Sequence, residues 1–83
     1  MNTKYVIFID RNGFEIPIIL PETIQHEDVM ISGAKPVSAG FCSIFPLDER
    51  EVEFSVYGKS LSLFLKSRPE DKNILKNILK ANY

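Results

Sequence analysis

The dipeptide Asn12-Gly13 joins two stretches rich in β-branched and aromatic residues, and no other feature constrains the fold as strongly. Asn-Gly between apolar stretches is a strong indication of a β-hairpin with a type I′ turn, because both central residues of that turn need positive φ. We therefore predict strands over residues 5–10 and 14–20. A two-residue turn sets the register of the hairpin and places Phe8 opposite Pro17.

This register divides the hairpin side chains between two apolar faces. One face carries Tyr5, Ile7, Ile9, Ile16, Ile18 and Leu20. The other face carries Val6, Phe8 and Ile19. Proline has no N–H to donate to a neighbouring strand, so Pro17 predicts that the second strand is a sheet edge. Both faces are apolar, and both are expected to need cover.

The rest of the chain contains three further β segments. Residues 37–45 alternate in a strand pattern and are predicted to form a middle strand, in which Gly40 marks a bulge or a close approach of another backbone. Residues 52–57 and 60–65 are predicted to form a second hairpin around Gly58-Lys59. Residues 21–29, with proline first and acids following, fit a short helical turn.

The C-terminal segment has the pattern of an amphipathic helix. Ser67-Arg-Pro-Glu70 matches a capping box, and an apolar stripe follows, formed by Ile74, Leu75, Ile78 and Leu79. The predicted helix runs to about Asn82. Residues 1–83 are therefore expected to form one α+β domain. Its antiparallel sheet would have about five strands, two hairpins plus a middle strand, with the C-terminal helix packed on one face.

Side chains suited to catalysis are scarce, because the chain has one histidine, His26, and one cysteine, Cys42. A zinc site needs three or four clustered ligands, and a Cys–His pair needs both partners placed together. We therefore expect no enzyme activity and no cofactor or metal. His26 is expected to face solvent on its short helix, and Cys42, in an apolar stretch, to be a buried thiol. Catalysis by the carboxylates would need a cleft, and no cleft is evident from the sequence.

Charge is unevenly distributed along the chain. Residues 1–57 carry four basic and nine acidic side chains, whereas residues 58–83 carry six basic and two acidic ones. Three lysines, Lys72, Lys76 and Lys80, recur at every fourth position of the predicted helix. Such a stripe can bind phosphates, with an affinity that falls as salt rises. The shortage of aromatic residues for base stacking predicts only weak, non-specific nucleic-acid binding.

Two other segments are candidate interaction surfaces. One helix covers one face of the sheet, so Val6, Phe8 and Ile19 are expected to be exposed and to form the interface of a homodimer. The small residues of the segment 35–42 either let a partner approach the backbone or make room for the C-terminal helix.

Three segments give the chain a resemblance to small bacteriophage and prophage proteins: Lys4-Tyr-Val-Ile-Phe8, Lys35-Pro-Val-Ser-Ala-Gly-Phe41, and residues 60–71. The resemblance implies a phage or prophage origin and implies no activity. A signal peptide and a membrane span are not evident, so a cytoplasmic protein without membrane partners is expected. The function that these observations favour is a non-enzymatic protein-interaction module that binds a host protein or a second copy. The alternative is a nucleic-acid-binding module that uses the basic helix.

Overall fold

The computed structural model describes residues 2–47 and 52–81, which form strands, one α-helix and a short 3₁₀ helix. The strands are β1 (Asn2–Asp10), β2 (Glu15–Leu20), β3 (Ala34–Pro46), β4 (Val52–Tyr57), β5 (Lys59–Ser60) and β6 (Leu65–Lys66). The 3₁₀ helix is His26–Asp28, and helix α1 is Asp71–Ala81. The α+β class is as predicted from the sequence.

The main sheet has four antiparallel strands in the order β2-β1-β3-β4, and β5 and β6 form a separate two-stranded sheet. Four strands plus two therefore replace the five expected from the sequence. The predicted middle strand is β3, which pairs with β1 on one side and β4 on the other. Strand β2 lies at an edge, as Pro17 indicated.

The turn of the first hairpin differs from the predicted type I′ turn. Asp10 accepts hydrogen bonds through Oδ1 from the backbone N–H groups of Asn12 and Phe14, both at 2.9 Å. Of the two central residues, only Gly13 has positive φ, at 84°. The Gly13 N–H donates to Asp10 O and the Asp10 N–H to Phe14 O. These bonds define a three-residue loop, the next commonest hairpin connection.

The extra loop residue moves the register of β1 against β2 by one position. Phe8 lies opposite Ile16, and Ile7, not Phe8, lies opposite Pro17. A slip of one residue moves every side chain of a strand to the other face. Ile19 consequently pairs with Tyr5 and lies on the opposite side of the sheet from Phe8, which corrects the predicted grouping.

The predicted second hairpin is wrong. Strand β4 pairs with β3, so that Val56 lies opposite Cys42 and not Leu61. The chain leaves β4 at Gly58, where φ is 77°, and forms a small hairpin of its own over residues 59–66. The backbone N–H and the hydroxyl of Ser67 both donate to the carbonyl oxygen of Gly58, at 3.1 and 3.0 Å, and close the base of this hairpin.

Helix α1 packs on one face of the main sheet, which we call the helix face. Leu75 is fully buried there against Tyr5, Ile7, Cys42 and Phe54. Gly40 also lies on this face, where a Cβ atom would sit 2.7 Å from the carbonyl oxygen of Tyr57. The close approach expected at Gly40 is therefore confirmed. The small side chain makes room for the chain that crosses from β4 towards the helix.

The other side of the sheet, the second face, is covered from within the chain. Val6, Phe8, Leu20 and Ala39 are buried there. Their cover comes from the segment after the 3₁₀ helix and from the small hairpin, through Val29, Ile31, Leu63 and Leu65. The expectation that one helix would leave this face exposed was wrong, because the segment after the 3₁₀ helix and the small hairpin form a second layer over it.

Candidate functional site

We call the small hairpin over residues 59–66 the tip hairpin. It carries two strongly exposed apolar side chains that are three positions apart in the sequence. Leu61 is 75% exposed and Phe64 is 93% exposed. Leu63 and Leu65, by contrast, turn inward and pack on the second face. Inside the turn, the buried Ser60 hydroxyl accepts a hydrogen bond from the N–H of Leu63 at 3.3 Å. Leu63 and Leu65 thus hold the hairpin on the sheet, while Leu61 and Phe64 are exposed to solvent.

Phe64 adopts a backbone conformation that an aromatic residue rarely takes. Its φ is 57°, and among the described residues other than glycine it is the one with positive φ. For an L-residue this region costs about 1–2 kcal/mol relative to the right-handed one. The side chain recovers little of that cost by packing in the monomer, because it is almost fully exposed. Such strain clusters at functional sites.

Two lysines flank the exposed side chains. Lys59 lies directly opposite Lys66 in the β5–β6 pair, and like charges in that position are destabilising. A shallow groove of about 670 Å³ runs along this side of the hairpin, lined by Val37, Leu61, Phe64 and the flanking basic residues. The tip hairpin therefore combines two exposed apolar side chains with two flanking positive charges.

Of the three predicted interface residues, the fold brings Val6 and Phe8 together on the second face and places Ile19 on the helix face. Val6 and Phe8 are buried within the chain, and Ile19 is partly buried on the helix face. The observation that supported a homodimer through these three residues is thereby removed. Of the lysine stripe, Lys72 is exposed and Lys76 is partly buried, while the side chain of Lys80 lies outside what the structure describes.

A buried carboxylate fixes the start of the helix. Asp71, fully buried, accepts three hydrogen bonds: from the Tyr5 hydroxyl at 2.7 Å, from the Arg68 N–H at 2.9 Å and from Arg68 Nε at 2.8 Å. Arg68 also binds Glu15 of β2 at 2.9 Å and Glu70 at 3.3 Å. The predicted capping by Ser67 and Glu70 is replaced by this arrangement, because the Ser67 hydroxyl is bonded to Gly58.

The electrostatics of this cluster favour structure over reactivity. Burial, reinforced by the hydrogen bond to Asp71, raises the pKa of the Tyr5 phenol well above its ordinary value. Burial alone would lower the pKa of Arg68, but its hydrogen bonds to Glu15 and Asp71 outweigh that effect and raise it. Both groups are thus held in the protonation state that they have in water at neutral pH, the opposite of what acid–base catalysis requires.

His26 is buried, not exposed as predicted. Its Nε2 lies 2.9 Å from the carbonyl oxygen of Gly40, so this nitrogen carries the hydrogen and donates. The ring meets Phe41 edge to face, with centroids 5.7 Å apart. His26 therefore fastens the 3₁₀ helix to β3. The residues next to it, Gln25, Glu27 and Asp28, are polar, so the local sequence pattern does not indicate this burial.

Cys42 is a buried free thiol, as predicted. Its sulfur lies 2.8 Å from the Thr3 hydroxyl, and burial raises the pKa of the thiol, which makes it a poorer nucleophile. Within residues 2–47 and 52–81, no three His, Cys, Asp or Glu side chains cluster so as to hold a metal ion. Nor does any helix in those ranges have the length and apolar character needed to cross a membrane.

Comparisons with protein-family models, with curated proteins and with solved structures found no match to this chain. The tip hairpin is not predicted from the sequence, because the predicted pairing of residues 60–65 with residues 52–57 puts Phe64 opposite Glu53 on a mostly polar strand face. A phenylalanine in an otherwise polar set was the available signal.

Proposed function

We propose that this protein is a small, non-enzymatic protein-interaction module that binds its partner through the tip hairpin. The observation that carries the proposal is Phe64, which is 93% exposed at a φ of 57°. A bulky residue in a strained, exposed position stabilises nothing in the monomer. Burial of its ring in a partner would offset the conformational strain, since aromatic anchors are enriched among interface hot spots.

Leu61 and the flanking lysines support the same proposal. Leu61 adds a second apolar side chain next to Phe64, and Lys59 and Lys66 add positive charge at the rim. An apolar centre with a polar rim is the usual composition of a protein-binding patch. The partner we propose has an apolar pocket edged by acidic residues. The candidate partner is a host protein or a second copy of this chain.

The reactive side chains support a non-enzymatic role. Asp71, His26 and Cys42 are each buried and engaged in contacts that hold elements of the fold together. A general acid, base or nucleophile needs access to a substrate in a cleft. These three groups have structural partners where a catalyst would have a substrate.

A photo-crosslinker placed at the tip tests the proposal. p-Benzoylphenylalanine at position 64, in cells that make the protein, is expected to give a covalent adduct with another polypeptide. Phe14 is the matched control, because it is also a hairpin-turn phenylalanine and is 69% exposed, but has no positive φ. The proposal fails if position 64 gives no protein adduct, or no more than position 14 gives.

The stability of a Phe64→Gly variant tests the same point from the other side. Glycine adopts positive φ without steric penalty, so the variant is expected to be more stable than the wild type by about 1 kcal/mol. Binding to the partner is expected to be lost. A variant less stable than the wild type would mean that Phe64 has a structural role, and the strain would then carry no functional meaning.

Nucleic-acid binding through helix α1 is the second candidate. The exposed Lys72 and the partly buried Lys76 lie one helical turn apart and form no ion pair among the described residues. A gel-shift titration at about 150 mM salt separates the two candidates, since screening there acts within roughly 8 Å. Sub-micromolar binding that disappears in the K72E/K76E/K80E variant would put nucleic acid first.

A further inference from the structure

The segment around the 3₁₀ helix forms a surface whose charge is opposite to that of the tip hairpin. Met30 is 88% exposed and Ile24 is 39% exposed. Three exposed acids lie in the same segment, namely Glu22, Glu27 and Asp28. We call residues 22–30 the acidic loop. It offers what the partner of the tip hairpin needs, which is apolar side chains edged by carboxylates.

The acidic loop and the tip hairpin are neighbours on the second face of the sheet. Val29 and Ile31 pack into the same apolar cluster as Leu63 and Leu65. A groove of about 460 Å³ runs between the two segments, with Gln25 and His26 lining one side and Leu61 and Ser62 the other, and two lysines, Lys4 and Lys59, also line it. Lys59 and Leu61 thus lie beside the acidic loop, whereas Phe64 and Lys66 line the neighbouring groove with Val37 and Arg68.

Among the described residues these charged side chains form no ion pairs with one another, although Lys4 Nζ donates to the carbonyl oxygen of Ile24 in the acidic loop at 3.2 Å. The ion pairs found within residues 2–47 and 52–81 all involve Arg68. Lys59 and Lys66 therefore have no acidic partner there, and Glu27 and Asp28 have no basic partner. The exposed apolar side chains of the two segments are likewise uncovered in the monomer.

We propose that the partner of the tip hairpin is a second copy of this chain, joined by a two-fold axis so that each tip hairpin sits on the acidic loop of the other copy. A two-fold interface is self-complementary: if one patch contacts another, the reverse contact also exists. Two adjacent patches of opposite charge and shared apolar character satisfy that condition. This inference rests on the proposed function and names its partner.

The contact differs from the homodimer that the sequence suggested. Val6 and Phe8 stay inside each chain, and the strained Phe64 ring of one copy is buried beside Met30 of the other. Two such contacts form per dimer, and in each the lysines of one tip hairpin face the carboxylates of the other copy's acidic loop. Because these charges lie at the rim, the dimer is expected to weaken as salt rises from about 50 to 500 mM.

A charge-swap experiment tests the proposal. Sedimentation velocity at about 10 to 200 μM resolves a dimer with a Kd in the micromolar range. The wild type is expected to be dimeric at the upper end. The variants K59E/K66E and E27K/D28K each place like charges at both contacts, and each is expected to dimerise at least about tenfold more weakly. All four positions are exposed, so folding should be retained, and circular dichroism checks this.

Mixing the two variants gives the decisive measurement. In a mixed dimer, the acidic tip hairpin of the K59E/K66E chain meets the basic loop of the E27K/D28K chain, and the other contact has the wild-type charges. Both contacts again join opposite charges, so the mixture is expected to recover dimerisation to within about threefold of the wild type. The matched control is K72E/K76E, which changes the same number of lysines to glutamate on helix α1 and should leave the dimer intact.

Three results would overturn the proposal: a wild type that stays monomeric at about 200 μM, a mixture that fails to recover, or a K72E/K76E variant that dissociates equally. The crosslinking result keeps this failure distinct from failure of the proposed function. A monomeric wild type whose position 64 crosslinks to a different protein rules out self-association and leaves the interaction module in place. A dimer that forms without any crosslink at position 64 rules out the tip hairpin itself.

Discussion

Replacement of Asp71 by asparagine is expected to remove much of the stability of the domain. Asn has the same shape as Asp but one oxygen and one NH₂ group. Asp71 Oδ2 accepts from Tyr5 and from the Arg68 N–H, and Oδ1 accepts from Arg68 Nε. The least harmful orientation of the amide keeps its oxygen at the Oδ2 position. Its NH₂ group then faces Arg68 Nε, donor against donor.

The magnitude follows from the burial of the group. Asp71 has no exposed surface, and breaking a buried ion pair by removing one charge costs about 3–5 kcal/mol. A domain of 83 residues has a total unfolding free energy of about 4–12 kcal/mol. Asp71→Asn should therefore remove about a quarter or more of it. With a urea dependence of about 1 kcal/mol per molar, the unfolding midpoint falls by about 3 M or more.

Glu70→Gln is the matched control. Glu70 pairs with the same arginine, at 3.3 Å, but its side chain is 59% exposed, so water screens the interaction. Exposed ion pairs contribute about 0–1 kcal/mol, and the control should shift the urea midpoint by less than about 1 M. If Asp71→Asn is as mild as the control, the carboxylate does not hold the start of the helix in the way described.

Four further outcomes are expected. The unfolding free energy should fall above about pH 10, by about 1.4 kcal/mol per pH unit, because the raised pKa keeps the Tyr5 phenol protonated in the fold while the unfolded chain releases its proton; Tyr5→Phe should remove this component in urea titrations at several pH values. Gly40→Ala should cost at least about 1–3 kcal/mol, because the added Cβ meets the carbonyl oxygen of Tyr57 at 2.7 Å, and an unchanged melting temperature would contradict that contact. Ser38→Ala should stabilise the domain by about 1 kcal/mol, because the buried Ser38 hydroxyl has no hydrogen-bond partner in the described structure, and a loss of stability would reveal one. Leu75→Ala should cost about 2–5 kcal/mol in calorimetry, and an unaffected midpoint would mean that helix α1 is not packed on the sheet.

The sequence predicted the elements of this fold better than their pairing. Strand propensity and apolar alternation are local, and they located β1, β2, β3 and helix α1. Strand pairing also depends on side-chain hydrogen bonds in the turns and on which of several strands is available as a partner. Asp10 accepts two backbone N–H groups and thereby converts a two-residue turn into a three-residue loop, which shifts the register. Strand β4 has the same alternation whether it pairs with β3 or with the segment after Gly58.

The candidate site was less predictable than the fold, for a related reason. Exposure of Phe64 depends on how the tip hairpin is placed, and its positive φ depends on the turn that Ser60 and its neighbours form. Neither can be obtained from composition or periodicity. The burial of His26 and Asp71 escaped prediction because each has a hydrogen-bond partner that is distant in the sequence, Gly40 and Tyr5 respectively.

The closure of the tip hairpin at its base has an evolutionary consequence. The Gly58 carbonyl is held by two groups of Ser67, so the loop ends are joined by atoms that do not depend on what the loop displays. Leu63 and Leu65 anchor it from below. The exposed side chains at positions 61 and 64 are then open to variation, whereas the Ser62 hydroxyl lies 3.3 Å from the Ser60 hydroxyl inside the turn. New binding specificities can therefore arise in this small domain by changes at two positions, without a new fold.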